Sequence, residues 1–360
     1  MHSLSIIIPT FNEAESIINL LIEIESIMEE SQAFEIIVVD DNSPDNTYEI
    51  IQNYILDNNK SFISAIKRTW SKGLSSAVIE GSALAKFSYI AVMDGDGQHD
   101  PNDLKMLFHE ILKSNKDIAI GSRFLNSKNS DSLSKKRNLI SIVGNYFSSL
   151  ILKKKLSDPL SGFFVVKSSL LKNNSKKLYK EGFKILFDIL MISKNASVLE
   201  RQINFRERSA GTSKLNFSTV LSLIGQILEN YTYRIFPSSF FVFSFIGSFG
   251  VLIHLSILYS MLAISMGYIH ANFIGTIGAL ISNYFLNNFF TFNNLHRTLK
   301  ERLKGLVRYA IVNSLSILAN IGIAAQLYIE EFSILLSTAA GILAGIILNY
   351  LLSKNLVFKN

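Results

Sequence analysis

Ala91-Val92-Met93-Asp94-Gly95-Asp96-Gly97-Gln98-His99-Asp100 is the stretch from which the rest of the chain can be worked out. Tyr89 to Met93 is a short unbroken apolar run closed by Asp and Gly, the pattern of a central strand in a parallel sheet. Ligands gather at the carboxyl ends of such strands. Asp94 and Asp96 are one residue apart and can project the same way, while Gly95 and Gly97 let the chain turn tightly beside them. Hard oxygen ligands of this kind suit Mg²⁺ or Mn²⁺, whose shell is completed by substrate phosphates. Taken alone, the tetrapeptide reads better as a solvated turn after a strand, so its context decides.

The 360 residues leave room for two domains, and the composition changes at about residue 235. Charged and apolar residues alternate before that point; long apolar runs follow from Pro237. The net charge of +6 comes from clustered Lys and Arg, which suit lipid headgroups or phosphates, and no nucleic-acid motif accompanies them. Without cysteine there is no disulfide framework, thiol nucleophile or thiolate metal site. Met1 to Thr10 lacks a basic start and contains Pro9, so it is expected to be a strand and not a signal peptide.

Strands are expected at Leu4–Ile8, Glu35–Val39, Phe62–Ile66, Tyr89–Met93 and Asp117–Ile120, alternating with helices as in a doubly wound α/β sheet. The first helix is expected over residues 13–30. Ser43-Pro44 is expected to open the second as cap and first-turn proline, and Lys72-Gly73 the third.

Six blocks then occur in order: Pro9-Thr10-Phe11-Asn12-Glu13, Val39-Asp40-Asp41, Lys72-Gly73-Leu74-Ser75-Ser76-Ala77, Asp94-Gly95-Asp96-Gly97-Gln98-His99, Gly121-Ser122-Arg123 and Asp158-Pro159-Leu160-Ser161-Gly162-Phe163-Phe164. Each is weak alone, but the set resembles the polyprenol-phosphate (dolichol-phosphate) mannose synthases, inverting family-2 glycosyltransferases of the α/β GT-A (Rossmann-like) fold. The resemblance implies metal-dependent transfer of a sugar, with GDP-mannose as donor, to a membrane polyprenyl phosphate. It also implies that Pro9, Phe11, Glu13, Val39 and Asp41 line the nucleoside pocket, joined by Asp94 and Gly95. Asp96 and Gln98 would take metal and diphosphate; Arg123, Lys184, Arg208 and Lys214 would meet phosphate or sugar; Arg137 would meet the acceptor phosphate. Two positions depart from the family pattern: Phe11 where Tyr is common, and Gly95 where Ala is common. UDP-glucose or another UDP-sugar is the alternative donor, and a non-catalytic lipid-sugar flipping protein the alternative class.

The chemistry suits that inventory. A phosphate monoester has a second pKa of about 6 and is already a nucleophilic dianion near neutrality. The reaction needs a cation on the leaving diphosphate and basic residues to bring two anions together, more than a general base. Asp94 and Asp96 share one loop, leaving no room for a sugar between them as a glycosidase would need. His99 is expected to be structural.

Two helices are expected at a membrane interface. Residues 133–152 put Leu139, Ile140, Val143, Tyr146, Phe147, Leu150 and Ile151 on one face, with Ser141, Asn145 and Ser148 opposite and lysine-rich ends. Within 216–236, Phe217, Val220, Leu221, Ile224, Ile227, Leu228 and Tyr231 form a second stripe, opposite Ser218, Ser222, Gln226 and Glu229. Gly182-Phe183-Lys184 and the Arg208–Leu215 loop also follow the family's segments, the latter as a flexible lid on phosphates.

Apolar stretches at 238–262, 270–292, 306–329 and 333–353 are each long enough to cross a hydrocarbon core of about 30 Å. They form two copies of one pattern: Gly275, Asn283 and Tyr284 return 66 residues later as Gly341, Asn349 and Tyr350, and Ser248 and Leu252 as Ser314 and Leu318. This pattern resembles the GtrA-like domain. The expected division is therefore a GT-A domain at 1–215, a second interface helix at 216–236 and a four-helix transmembrane domain at 237–360. Arg297, Lys300, Arg302, Lys304 and Arg308 are expected in the loop between the second and third spans, with Glu330 and Glu331 in the last turn. By the positive-inside rule the catalytic domain and C-terminus are cytoplasmic. No charge lies deep in a span, which favours an anchor over a transport path.

Overall fold

The computed structural model describes residues 3–28, 33–69, 73–125, 135–178, 184–206, 217–232, 235–292 and 298–357, and the chain divides into two units, 1–214 and 215–360.

The first unit is built on seven strands: β1 (Leu4–Thr10), β2 (Phe34–Asp40), β3 (Ile63–Lys67), β4 (Tyr89–Val92), β5 (Ile118–Ser122), β6 (Phe164–Lys167) and β7 (Val198–Gln202). Their order across the sheet is β3-β2-β1-β4-β6-β5-β7. Alternation along the inner strands sends successive side chains to opposite faces. Leu4, Ile6, Ile8, Ile36, Val38 and Ala91 pack on one side with helices α1 (Ile17–Met28) and α4 (Pro101–Ser114). Ile7, Ile37, Val39, Ile90 and Val92 pack on the other with α3 (Leu74–Leu84) and α7 (Ile185–Ile192). Both faces are covered, so the strands read as continuous apolar runs.

The sheet is mixed: the five expected strands run parallel, and one further strand reverses. β6 runs antiparallel between β4 and β5, with Phe164 opposite both Val92 and Ile120. An antiparallel strand begins where its parallel neighbours end. Residues 158–163 are therefore delivered to the edge where Asp94 and Gly121-Ser122-Arg123 also emerge.

Two helix starts also differ. The helix α2 (Thr47–Asp57) opens at Asn46, three residues beyond Ser43-Pro44. The Ser43 hydroxyl is used instead within the loops, accepting from the Asn12 N–H at 2.9 Å and donating to Asp40. Regular helix α1 begins at Ile17, because the N–H groups of Glu13 and Ala14 are taken by Thr47 Oγ1 and Asp45 Oδ2, both at 3.1 Å. Two further helices complete this unit: α5 (Lys135–Leu152) and the short α6 (Ser168–Asn174).

The second unit comprises α8 (Phe217–Tyr231), α9 (Ser238–Ala263), α10 (Tyr268–Leu286), α11 (Leu299–Ile329) and α12 (Ile334–Leu352). The basic residues expected in a loop, Lys300, Arg302, Lys304 and Arg308, instead lie on the opening turns of α11. Among the described residues, α9 is the helix long and apolar enough to cross a membrane. The 66-residue repeat is structural as well as sequential. Each hairpin ends in a π-helical turn, Asn287–Thr291 after α10 and Ser353–Val357 after α12. Tyr284 packs on Tyr309 with ring centroids 5.7 Å apart, and Tyr350 on Phe243 at the same 5.7 Å. Those four residues interchange under the 66-residue offset, so the two hairpins meet about a pseudo-two-fold axis.

Candidate active site

The loops after β1 and β2 are stitched together before any substrate arrives. Asp40 accepts from Thr10 Oγ1 at 3.1 Å and from the Ser43 N–H at 2.9 Å. Asp41, placed by resemblance in a nucleoside pocket, accepts from Arg68 Nη1 at 2.6 Å and from the Gly73 N–H at 2.7 Å, so it also fixes the turn into α3. Arg68 is fully buried and reaches Ser76 Oγ and Glu80 besides. Pro9 lies opposite Val39 across β1 and β2, Val39 is buried, Pro9 and Glu13 are half-buried, and Phe11 is 36% exposed.

The acidic turn is held from below and from the side. The Asp94 N–H donates to His99 Nδ1 at 3.2 Å, and the His99 ring stacks on Phe163 at 4.7 Å. Burial pushes the imidazole pKa down against the pull of Asp94 and Asp96, with Arg123 and Lys184 adding to the fall. The neutral ring can therefore accept at Nδ1, the structural role expected of it. Asp96 accepts from the Gln98 N–H at 3.1 Å, Gly97 takes a φ of 74°, and Ser16 Oγ holds the Gly95 carbonyl at 2.9 Å. Gln98 is also tied to Arg206: its carbonyl accepts from the Arg206 N–H at 2.9 Å and its Nε2 donates to the Arg206 carbonyl at 3.3 Å. Arg206 is tied in turn to Glu23 and Asp100.

Arg123 and Asp158 form a bidentate pair, Nε–Oδ2 at 2.8 Å and Nη2–Oδ1 at 3.0 Å. Burial works against the guanidinium charge, but Asp158 outweighs it and Asp94 adds to the effect, so the pKa of Arg123 is raised. The guanidinium also covers the rings of Phe124 and Phe205.

Among the described residues, no group of three or more His, Asp or Glu could enclose a metal by itself. The acidic turn nevertheless suits a hard dication shared with substrate. Gly162 presents bare backbone to the Asp94 carboxylate, in space that a Cβ would fill. Diphosphate oxygens can complete such a shell.

The structure thus brings Asp94, Gly95, Asp96, Gln98 and Arg123 to one edge, with Lys184 close enough to act on His99. Arg137 lies on α5 with its side chain outside the described residues, and Arg208 and Lys214 also lie outside them. Sequence reasoning assigned no role to Arg68 or Arg206 and did not foresee Asp158 as a partner for Arg123. An isolated Arg at the end of β3 facing Asp41 was the available signal for the first.

On α5 the burial is the reverse of that of a helix packed by its apolar stripe. Asn145 and Ser148 are buried, while Ile142, Tyr146 and Leu150 are exposed. In α8 the burial is divided: Gln226 and Glu229 are buried, with Glu229 accepting from the Ser238 N–H at 2.8 Å, and so are Leu221 and Ile227 of the apolar stripe, while Ile224 and Tyr231 are exposed.

The sequence and the fold are similar to those of known glycosyltransferases. Residues 5–174 match the glycosyl transferase family 2 model and residues 242–359 the GtrA/DPMS transmembrane domain, so this is a membrane protein. A dolichol-phosphate mannosyltransferase from Pyrococcus furiosus is 33% identical over 295 residues, covering 81% of this chain and 82% of that protein. One from Saccharomyces cerevisiae is 29% identical over 248 residues, covering 66% of this chain and 91% of that protein. The fold resembles glucosyl-3-phosphoglycerate synthase from Mycobacterium tuberculosis, solved with Mn²⁺ and UDP-glucose, at a TM-score of 0.50 and 14% identity over 64% of this chain and 79% of that one. The mixed sheet is that of a GT-A glycosyltransferase. The chain belongs to the dolichol-phosphate mannosyltransferases, family 2 glycosyltransferases that carry a GtrA/DPMS transmembrane domain.

Proposed function

We propose that this enzyme transfers mannose from GDP-mannose to the phosphate of a polyprenyl (dolichyl) lipid at the cytoplasmic face of a membrane, with Mg²⁺ or Mn²⁺ at Asp96 and Gln98. The observation that carries this reading is the junction of an acidic turn, the Arg123–Asp158 ion pair and a helix with exposed apolar residues on one sheet edge. Pro9, Phe11, Glu13, Val39, Asp41, Asp94 and Gly95 take the nucleotide side. Arg123 and Lys184, with Arg137, Arg208 and Lys214, take the sugar and the two phosphate groups. A bound dication supplies charge neutralisation for the departing diphosphate. A phosphate oxygen of the acceptor attacks the sugar's anomeric carbon, the bond from that carbon to the diphosphate oxygen breaks, and the nucleoside diphosphate leaves. No proton need be removed from the dianionic acceptor, so the chain's contribution is orientation and electrostatics. The Phe11 ring offers a stacking face to the base, and the absence of a tyrosine hydroxyl costs that contact nothing.

We read α9 to α12 as four spans that anchor the enzyme, with the catalytic unit and C-terminus cytoplasmic. The basic opening of α11 and the acidic Glu330 and Glu331 support that orientation. The test offers radiolabelled GDP-mannose and UDP-glucose in parallel, with a polyprenyl phosphate and Mn²⁺ or Mg²⁺, followed by organic extraction. Label from GDP-mannose is expected in the lipid phase and should vanish with Asp96→Ala. Transfer only from UDP-glucose would replace the donor, and no lipid label from either would overturn the reading.

A further inference from the structure

We infer that Asn145 is a positioning residue for the transfer, linking the helix with exposed apolar residues to the cation beside the acidic turn. This deepens the proposed reading and rests on its lipid-phosphate acceptor.

Asn145 is only 5% exposed, and its Nδ2 donates to the Ser157 carbonyl at 3.2 Å and to Asp158 Oδ1 at 3.3 Å. Its own Oδ1 is buried with no hydrogen-bond partner among the described residues. A residue kept only for packing would avoid that cost, since an aliphatic side chain could fill the space. Asp158 is fully buried, and the oxygen that receives Asn145 also receives Arg123 Nη2. The other oxygen accepts from Arg123 Nε and from its backbone N–H at 3.3 Å. The guanidinium therefore cannot be set independently of Asn145. It lies over Phe205, whose ring meets the edge of His99 at 5.5 Å, and His99 accepts from the Asp94 N–H.

On its other side α5 exposes Ile142, Tyr146 and Leu150, four residues apart in sequence and thus on one stripe. A lipid surface meeting that stripe fixes where α5 sits. Asn145 then conveys that position to Asp158 and so to Arg123. A displacement of even 1 Å at a reacting centre can cost about a hundredfold in rate.

The experiment uses the full-length protein in phospholipid vesicles containing a polyprenyl phosphate. Asn145→Ala and Asn145→Leu are expected to lower kcat by about tenfold or more while leaving GDP-mannose affinity, measured by calorimetry, within about twofold. Leu fills the site, so a loss shared by both variants with an unaltered thermal midpoint in Asn145→Leu separates positioning from folding. Ser149→Ala removes a different α5 contact, its 2.7 Å bond to the Leu156 carbonyl, and should leave kcat unchanged. In an Arg123→Ala background, Asn145→Ala should add no further loss. Wild-type turnover in both Asn145 variants, or a full additional loss on top of Arg123→Ala, would overturn the inference. If the wild-type enzyme forms no lipid-linked sugar, the acceptor assignment fails first and the inference falls with it.

Discussion

Gly162 meets Asp94 with bare backbone: a Cβ built on Gly162 would stand 2.9 Å from Asp94 Oδ2 and 3.2 Å from Oδ1. The two residues arrive from opposite strand directions, Asp94 just after β4 and Gly162 just before the antiparallel β6. Gly162→Ala should therefore displace the carboxylate by a few tenths of an ångström without disturbing the core. The expected result is at least about a tenfold rise in the KM for the nucleotide sugar, with an unchanged thermal midpoint. An unaltered KM would refute it.

Gly95, where the family commonly has Ala, is matched to Thr10. A Cβ there would come within 2.9 Å of Thr10 Cγ2. Gly95→Ala should destabilise the protein by about 1–3 kcal/mol through overpacking. Adding Thr10→Ser removes the methyl and keeps the hydroxyl that binds Asp40, so the double variant should recover most of that loss in thermal denaturation.

Much of this architecture was legible in the sequence, and the reasons are specific. Five strands were placed to within one or two residues because apolar runs such as Ile36–Val39 and Tyr89–Met93 are covered on both faces and are closed by Asp. β6 escaped because Phe164–Lys167 reads as the tail of a motif, and nothing local records that a strand will enter antiparallel. Ser43-Pro44 has the composition of a helix cap, but tertiary bonds to Asn12 and Asp40 claim the hydroxyl. The acidic turn was legible from its spacing. The partners of Arg123 and Asp41 were not, since Asp158, Arg68 and Gly73 come near them only through the fold. Asn145 was placed on the polar side of α5 correctly, yet periodicity alone does not say which side faces the protein.

Acid should loosen one corner of the sheet. Hydrogen bonds from Ser197 hold Asp117 at a pKa of about 2, against the opposing effect of burial and with help from Lys167. The group's ordinary pKa is about 4. The unfolded chain binds the proton first as pH falls, so this contribution is present above about pH 4 and is lost as pH drops towards 2. The Asp117 side chain is 29% exposed, and solvent screening limits the effect to about 1 kcal/mol. Thermal midpoints of wild type and Asp117→Asn should converge across that window. Parallel curves would remove Asp117 as the cause.

In the helical unit, Tyr284 Oη donates to the Arg302 carbonyl at 2.9 Å, and a Cβ on Gly305 would collide with that hydroxyl. Tyr284→Phe is expected to cost about 0.5–1.5 kcal/mol. Gly305→Leu should cost more by forcing the ring and α11 apart, and the order of the two thermal midpoints in detergent checks this.

Orientation can be read directly because the chain has no cysteine. A single cysteine at Lys300 should react with an impermeant maleimide only in inside-out vesicles, and one at Met266 only in right-side-out vesicles. The opposite pattern would invert the topology.

The paired π-helical turns and the interchange of Tyr284·Tyr309 with Tyr350·Phe243 make the helical unit a dimer written on one polypeptide. Each hairpin uses the same surface to grip the other, so every interior position has a counterpart that can diverge while its twin preserves the grip. Asn313 already stands where Gly247 stands in the first half, and it bonds to Asn349 at 3.0 Å. The shared packing of the two hairpins thus tolerates a polar contact in one half that its counterpart lacks a side chain to make.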